Sequence, residues 1–137
     1  MPQGRSPRTE IASSAADPGT GRIDSLIELR DALRRFAAER DWQQFHTPKN
    51  LAIALSVEAS ELLEHFQWLS DAESQSLDAT QLARVRDEIA DVLLYLVRLA
   101  DRLDVDLLAA ARDKLALNAT KYPADKSRGS SRKYTDL

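Results

Sequence analysis

The sequence predicts an all-α protein built as a four-helix bundle, and three observations support this. Apolar residues recur every three or four positions in four segments, while the alternation typical of a half-buried strand is absent from the sequence. Helix-capping residues and prolines separate these segments from each other. The chain has 137 residues, which is enough for one core but short of two typical domains. We therefore expect one bundle of about four helices.

The N-terminal segment and the first helix are separated by a change in composition. Residues 1–21 are rich in Pro, Gly, Ser, Thr and Ala without periodicity, and they are predicted to be a disordered leader. The first helix is predicted from Asp24, an N-cap candidate, to about Arg40. Residues 41–49, which include two aromatic residues, a histidine and a proline, are predicted to be a loop. The predicted inner face of the first helix carries Leu26, Ile27, Leu29, Leu33, Phe36 and Ala37.

The second helix has the clearest start signal in the chain. Thr47 is predicted to be its N-cap and Pro48 its first residue, where the missing N–H of proline costs nothing. We expect this helix to extend to about Trp68, and residues 70–78, which are mostly polar, to form a loop or short turn.

The last two helices and the C-terminal tail follow. The third helix is predicted over about 78–103 and the fourth over about 106–120, until Pro123 prevents its continuation. The third would span roughly 39 Å, more than a compact monomer needs, so we expect its far end to contact another subunit. Residues 22–123 form the predicted domain. Residues 124–137 are predicted to be a flexible basic tail that could fold as a lid over a bound anion.

Composition excludes several classes of protein. The chain has no cysteine, so disulfides, thiolate metal sites and cysteine nucleophiles are excluded. The net charge of −3 argues against binding to a nucleic-acid polymer. Apolar runs are far too short to span a membrane, and the N-terminus lacks the apolar core of a secretory signal. We expect a cytoplasmic protein.

Two pairs of carboxylates are the strongest functional signal. Glu58 and Glu61 form an E-x-x-E pair, and Glu88 and Asp91 form an E-x-x-D pair. This spacing puts the members of each pair on one helix face, beside apolar residues that should be buried. A single such pair is usually a solvated surface, but two pairs on core-facing stripes favour a cation site. Oxygen ligands indicate Mg²⁺ or Mn²⁺. Four other acids are assigned to solvent: Glu64, Asp71, Glu73 and Asp87.

Three segments resemble a known family. Residues 41–68 read DWQQFHTPKNLAIALSVEASELLEHFQW, residues 88–103 read EIADVLLYLVRLADRL, and residues 114–123 read KLALNATKYP. Together with the terminal SSRKYTDL, they resemble the all-α nucleoside triphosphate pyrophosphohydrolases, the MazG-like superfamily, and within it the dCTP pyrophosphatase branch. The resemblance covers about 110 residues from near Ile23 onward. It implies the all-α NTP pyrophosphatase fold and a homo-oligomer, in particular a tetramer.

The resemblance also implies an activity and its metal. The family cleaves a nucleoside triphosphate between the α and β phosphorus atoms with Mg²⁺, for which Mn²⁺ could substitute. The expected substrate is dCTP or a modified pyrimidine dNTP, in nucleotide-pool sanitation. The metal-binding acids would be Glu58, Glu61, Glu88 and Asp91. Glu58 or Glu61 would act as the catalytic base, with Glu58 slightly favoured.

Nine further residues are expected to bind the substrate. Trp42 and Trp68 could flank the base or could simply be apolar caps on the bundle, and the resemblance favours the base pocket. The dCTP pyrophosphatases carry a base-holding histidine in the first helix, where this chain has Leu33, which weakens the expectation of strict cytosine selectivity. The expected substrate-binding residues are Trp42, Phe45, His46, Trp68, Tyr95, Arg102, Asn118, Lys121 and Tyr122.

Two alternatives remain open at the level of the sequence. The chain could be a dUTPase-like or phosphoribosyl-ATP-cleaving member of the same superfamily, although the paired tryptophans argue against the latter. It could also be a non-catalytic helical oligomer whose acids hold a structural metal.

Overall fold

The structure is a computed structural model that describes residues 21–137, so almost the whole predicted leader lies outside the described residues. The all-α class is confirmed, because residues 21–137 contain helices and no strand. The helices are α1 (Leu26–Glu39), α2 (Pro48–Glu64), α3 (Asp71–Ser74), α4 (Ala79–Arg102), α5 (Leu107–Lys121) and α6 (Ala124–Ser127), followed by a 3₁₀ turn at Tyr134–Asp136.

The start of α1 and the end of α2 differ from the prediction. Ser25, rather than Asp24, caps α1, since its hydroxyl accepts a hydrogen bond from the Glu28 N–H at 3.1 Å. The prediction that α2 reaches Trp68 is wrong. The helix ends at Glu64, and the chain turns immediately afterwards, with the Phe66 N–H donating to the Leu63 carbonyl at 2.9 Å. Aromatic residues just after the helix had extended its apparent periodicity.

The remaining boundaries follow local capping chemistry. Thr47 caps α2 through its hydroxyl, as predicted. Asp78 and Gln81 form a capping box at the start of α4, in which each side chain accepts from the other residue's backbone N–H. Asp104 marks the end of α4, as predicted, and has a positive φ of 54°. Aspartate tolerates this left-handed conformation better than most residues, which allows the chain to leave the helix axis.

Helix α4 is the centre of the packed unit, and α1 and α2 pack against it. The buried apolar side chains come from these three helices: Ala37, Leu51, Val85, Val97 and Ala100. The fourth long helix was predicted to complete the bundle, but α5 has no buried residue. Its Leu115 is 72% exposed and its Leu108 is 56% exposed. Within the described chain, three helices therefore form the core and α5 keeps an apolar face open. None of the described helices combines the length and hydropathy needed to cross a membrane.

Candidate metal and nucleotide site

The packing of α2 against α4 brings the two carboxylate pairs together. Glu58, Glu88 and Asp91 each offer an oxygen, and these oxygens all lie within 4.8 Å of one another. The fourth predicted acid, Glu61, is not part of this group of three, but it lies near Glu58 and helps to raise the pKa of that carboxyl. Among the ion pairs of residues 21–137, none joins a lysine or arginine to these acids. Within the described residues, the acids thus converge without a lysine or arginine to neutralise them.

Glu88 provides the most direct test of whether a cation fits. One of its carboxylate oxygens lies 3.8 Å from His65 Nε2, and the other is buried without a hydrogen-bond partner. A buried carboxylate oxygen without a partner is costly, whereas the same oxygen is a good ligand for a divalent cation. The donor set consists of hard oxygens, which suits Mg²⁺ or Mn²⁺. The residues present therefore fit the metal that the sequence predicts.

Glu58 shows the electrostatic cost of the cluster without a metal. Loss of solvent raises the pKa of Glu58 most, followed by the hydrogen bond with Glu61 and repulsion from the three other carboxylates. A divalent cation among these groups would reverse the repulsion and favour the ionised form.

An apolar pocket of about 150 Å³ adjoins the acids, and Asp91 contributes to both. Trp42 stands edge-on to Phe36, with ring centroids 5.7 Å apart, and edge-on to His46 at 6.1 Å. The pocket is lined by Leu33, Phe36, Trp42, His46, Asp91, Leu94, Tyr95 and Arg98. A small aromatic cavity beside a carboxylate cluster has the size and character for one flat ring next to a metal-bound group.

Comparison with known proteins identifies the family. The sequence profile described as the MazG-like family matches residues 53–137. The chain belongs to the MazG-like family. It is 48% identical over 128 residues to dCTP pyrophosphatase 1 of Rattus norvegicus, covering 91% of this chain and 75% of that protein. It is 48% identical over 115 residues to dCTP pyrophosphatase 1 of Homo sapiens, covering 82% of this chain and 68% of that protein.

A solved structure supports the same assignment. The crystal structure of a pyrophosphatase from Archaeoglobus fulgidus superposes with a TM-score of 0.69 at 41% sequence identity, covering 76% of this chain and 97% of that one. The resemblance seen in the sequence is thereby confirmed as membership of the MazG-like family.

Three of the predicted base- or phosphate-binding residues of this MazG-like chain line the pocket: Trp42, His46 and Tyr95. The lining does not include Phe45 or Trp68, whose side chains are 60% and 86% exposed. Arg102 lies beside the aromatic loop, where its Nε donates to the His46 carbonyl at 3.0 Å. Substrate contacts by all six of these residues, those in the pocket lining and Phe45, Trp68 and Arg102 outside it, stay predictions.

The predicted residues in the last turn of α5 and directly after it, Asn118, Lys121 and Tyr122, lie outside the pocket lining. Tyr122 and Lys121 instead contact Tyr134 of the C-terminal tail. The two tyrosine rings are 5.8 Å apart in an edge-on arrangement, and Lys121 Nζ lies 5.1 Å from the Tyr134 ring centroid. Roles for Asn118, Lys121 and Tyr122 in binding the nucleotide also stay predictions.

Arg98 is the site residue that the sequence analysis missed. Only 5% of Arg98 is exposed, although arginine is rarely buried without a partner. It follows Glu88, Asp91 and Tyr95 on α4 at intervals of three or four residues, which places all of them along one ridge of the helix. Continuing the E-x-x-D pattern by two more turns would have found it.

Proposed function

We propose that this chain is an Mg²⁺-dependent nucleoside triphosphate pyrophosphohydrolase that converts dCTP, or a modified pyrimidine dNTP, to the monophosphate and pyrophosphate. The observation that carries this proposal is the shared position of Asp91, which belongs to the carboxylate cluster and also to the wall of the aromatic pocket. A base in the pocket would therefore have its triphosphate beside the acids. The names of the relatives, dCTP pyrophosphatase 1, support the substrate.

The four carboxylates are proposed to have two roles, which are to bind the metal ion and to accept a proton. Glu88, Asp91 and one or both of Glu58 and Glu61 would hold Mg²⁺ or Mn²⁺. The bound ion would neutralise the charge that develops on the pyrophosphate and make the attacking water more acidic. The oxygen of that water bonds to the α phosphorus while the bond from this phosphorus to its bridging oxygen breaks. The proton goes to a carboxylate, and pyrophosphate leaves with the bonding electrons.

Of the E-x-x-E pair, Glu58 is proposed as the base, as the sequence analysis slightly favours. In the metal-free protein, loss of solvent and the neighbouring carboxylates raise the pKa of Glu58. Glu61, which lies near Glu58, would orient it.

A panel of nucleotides tests the function directly. We expect pyrophosphate and dCMP from dCTP with Mg²⁺, and no product after chelation. Faster hydrolysis of dUTP than of dCTP would favour the dUTPase-like alternative. Release of orthophosphate instead of pyrophosphate would contradict cleavage at the α phosphorus. Metal binding without hydrolysis of any nucleotide would support a structural metal in a non-catalytic oligomer.

Both tryptophans are predicted to contact the base, and one alanine variant of each tests this prediction. Replacing Trp42 by Ala removes an aromatic wall of the pocket. We expect the KM for dCTP to rise by the equivalent of about 1–3 kcal/mol of lost stacking. Steady-state kinetics measure this change, and an unaltered KM would return Trp42 to a structural role.

The matched comparison is Trp68→Ala, in the exposed turn after α2. A similar increase in KM would support the predicted contact between Trp68 and the base. An unchanged KM would leave Trp68 as a surface residue.

The basic tail is proposed to close over the bound triphosphate. Deleting residues 125–137 removes Tyr134 and its contacts with Lys121 and Tyr122, together with several positive charges. We expect kcat/KM to fall at least roughly tenfold, with little change in the melting temperature of the free protein. Salt should slow the full-length enzyme more than the truncated one, since the contacts are largely Coulombic. Full activity after truncation would contradict the proposal.

We also propose a homo-oligomer, in particular a tetramer. The support is the apolar face of α5, which stays exposed because the described residues of the same chain do not bury it. Closed symmetric assembly is the usual way to cover such a face.

A further inference from the structure

Arg98 forms a buried polar connection between α4 and the aromatic loop. Its Nε donates to His46 Nδ1 at 3.2 Å, and one of its terminal nitrogens donates to Asp101 Oδ2 at 3.2 Å. The side chains of Arg98 and Asp101 are only 6% and 7% exposed. Arg34 also binds Asp101, with its Nε 2.8 Å from Oδ2. Arg98 is thus held in place from α4 and from α1, and it presents its Nε to a ring that lines the pocket.

This contact determines which nitrogen of His46 carries the proton. A guanidinium can only donate hydrogen bonds, so Nδ1 of His46 must be the unprotonated acceptor. The neutral ring then carries its proton on Nε2. Burial and the nearby charges of Arg98 and Arg102 lower the pKa of His46, which agrees with a neutral ring. Among the described hydrogen bonds, none involves Nε2, so its N–H is available to a ligand.

The polar groups around the pocket include one fixed donor, the Nε2–H of His46. The Asp91 carboxylate can accept, and the Tyr95 hydroxyl can donate or accept. Leu33 and Phe36, on the wall from α1, have no polar side-chain atom. The carboxylate of Asp91 belongs to the acidic cluster. A flat base fits this lining best when the atom that it presents to the Nε2–H of His46 is an acceptor.

Pyrimidines differ at ring position 3. Cytosine has an unprotonated ring nitrogen there, which is an acceptor between its amino group and its carbonyl oxygen. Uracil and thymine have a ring N–H there, between two carbonyl oxygens, and this donor would face the fixed Nε2–H of His46. A buried donor facing another donor leaves both without a partner, which discriminates strongly between otherwise similar ligands.

We propose that Arg98 is a specificity-determining positioning residue, which holds His46 as an Nε2–H donor so that the pocket selects cytosine-type bases over uracil-type bases. This inference rests on the proposed function and names the device that would set its base selectivity. Arg98 acts through His46, whose ring touches the base.

The first experiment examines the free protein and needs no activity. The chain contains two histidines, His46 and His65, so two-bond ¹H–¹⁵N spectra can be assigned by His65→Gln. We expect wild-type His46 to be the Nε2–H tautomer and Arg98→Met to give a mixture of both tautomers. Arg102→Met is the matched control, because Arg102 contacts the backbone carbonyl of His46 and not its ring. A wild-type Nδ1–H tautomer, or an unchanged tautomer in Arg98→Met, would overturn the proposal.

The second experiment measures selectivity as the ratio of kcat/KM for dCTP to that for dUTP. We expect this ratio to fall about tenfold or more in Arg98→Met. Arg34 remains bound to Asp101 in this variant, so no carboxylate is left unpaired, and a melting curve verifies the fold. His46→Gln, a change in the loop, should lower the ratio as well and serves if Arg98→Met does not fold. Equal losses for both nucleotides would show a merely structural role and reject the inference.

The two proposals can fail separately. If the wild-type protein hydrolyses no nucleotide, the proposed function fails, while the spectra still decide whether Arg98 sets the tautomer of His46. If hydrolysis is normal but the ratio is unaffected by both variants, only the inference about Arg98 fails.

Discussion

Replacing Glu88 by Gln is expected to lower kcat/KM for Mg²⁺-dependent dCTP hydrolysis at least about 100-fold. Loss of a residue that only hydrogen-bonds to a metal ligand already lowers metal affinity or activity about 10- to 100-fold, and Glu88 is proposed to bind the metal itself. Glu88 is chosen because one of its carboxylate oxygens is buried without a hydrogen-bond partner, and a bound metal ion would satisfy that oxygen. The measurement is pyrophosphate release at saturating Mg²⁺, with circular dichroism to verify folding.

The neighbouring residue provides the matched control. Asp87 lies on the same helix but is exposed, so Asp87→Asn should leave activity within about twofold. Glu58→Gln, Glu61→Gln and Asp91→Asn should each lose most activity. Near wild-type hydrolysis by Glu61→Gln would remove Glu61 from the proposed metal set, and normal hydrolysis by Glu88→Gln would reject the site.

The raised pKa of Glu58 adds a dependence on pH for the metal-free protein. A carboxyl whose pKa is higher in the folded than in the unfolded state favours folding when protonated. Ionisation of Glu58 therefore destabilises the folded state progressively as the pH rises from the pKa of Glu58 in the unfolded state to its higher pKa in the folded state. With a chelator present, Glu58→Gln should melt higher than wild type at neutral pH, and the difference should shrink towards pH 4. A lower melting temperature of Glu58→Gln at neutral pH would contradict this electrostatic account.

Replacing Leu115 by Gln is expected to break the proposed oligomer. Leu108 and Leu115 lie seven residues apart on α5, on one helix face, and more than half of each is exposed in the single chain. Burial of one leucine at an interface contributes about 1.5–3 kcal/mol per subunit, so its loss should shift assembly towards smaller species and lower the melting temperature.

Sedimentation at micromolar concentration measures the assembly. We expect wild-type protein near four times the 15.3 kDa chain mass and Leu115→Gln at a smaller multiple. Asp113→Asn, an exposed polar change on the same helix, should leave assembly unaltered. In a monomer, Leu115→Gln would change stability little, because the leucine is already 72% exposed. A wild-type species of 15.3 kDa would contradict the oligomer.

Much of the fold could be predicted because its signals are local. Thr47-Pro48 predicted the start of α2, and Asp104 predicted the end of α4, since capping and left-handed turns depend on the residue itself and a few neighbours. The end of α2 was predicted four residues too late. Phe66 and Trp68 continue the apolar pattern there, and periodicity cannot distinguish a helix from a turn that begins with aromatic residues.

The sequence by itself determined the helices and the two carboxylate pairs, because a spacing of three residues fixes which side chains share a helix face. Only the tertiary structure decided that Glu58, Glu88 and Asp91 meet within 4.8 Å, since this depends on how α2 packs against α4. The tertiary structure alone also brought Arg98 to His46, fifty-two positions away in the chain. Contacts between distant residues depend on packing geometry that no local pattern encodes, and for that reason the pocket and its contact between Arg98 and His46 could not be derived from the sequence.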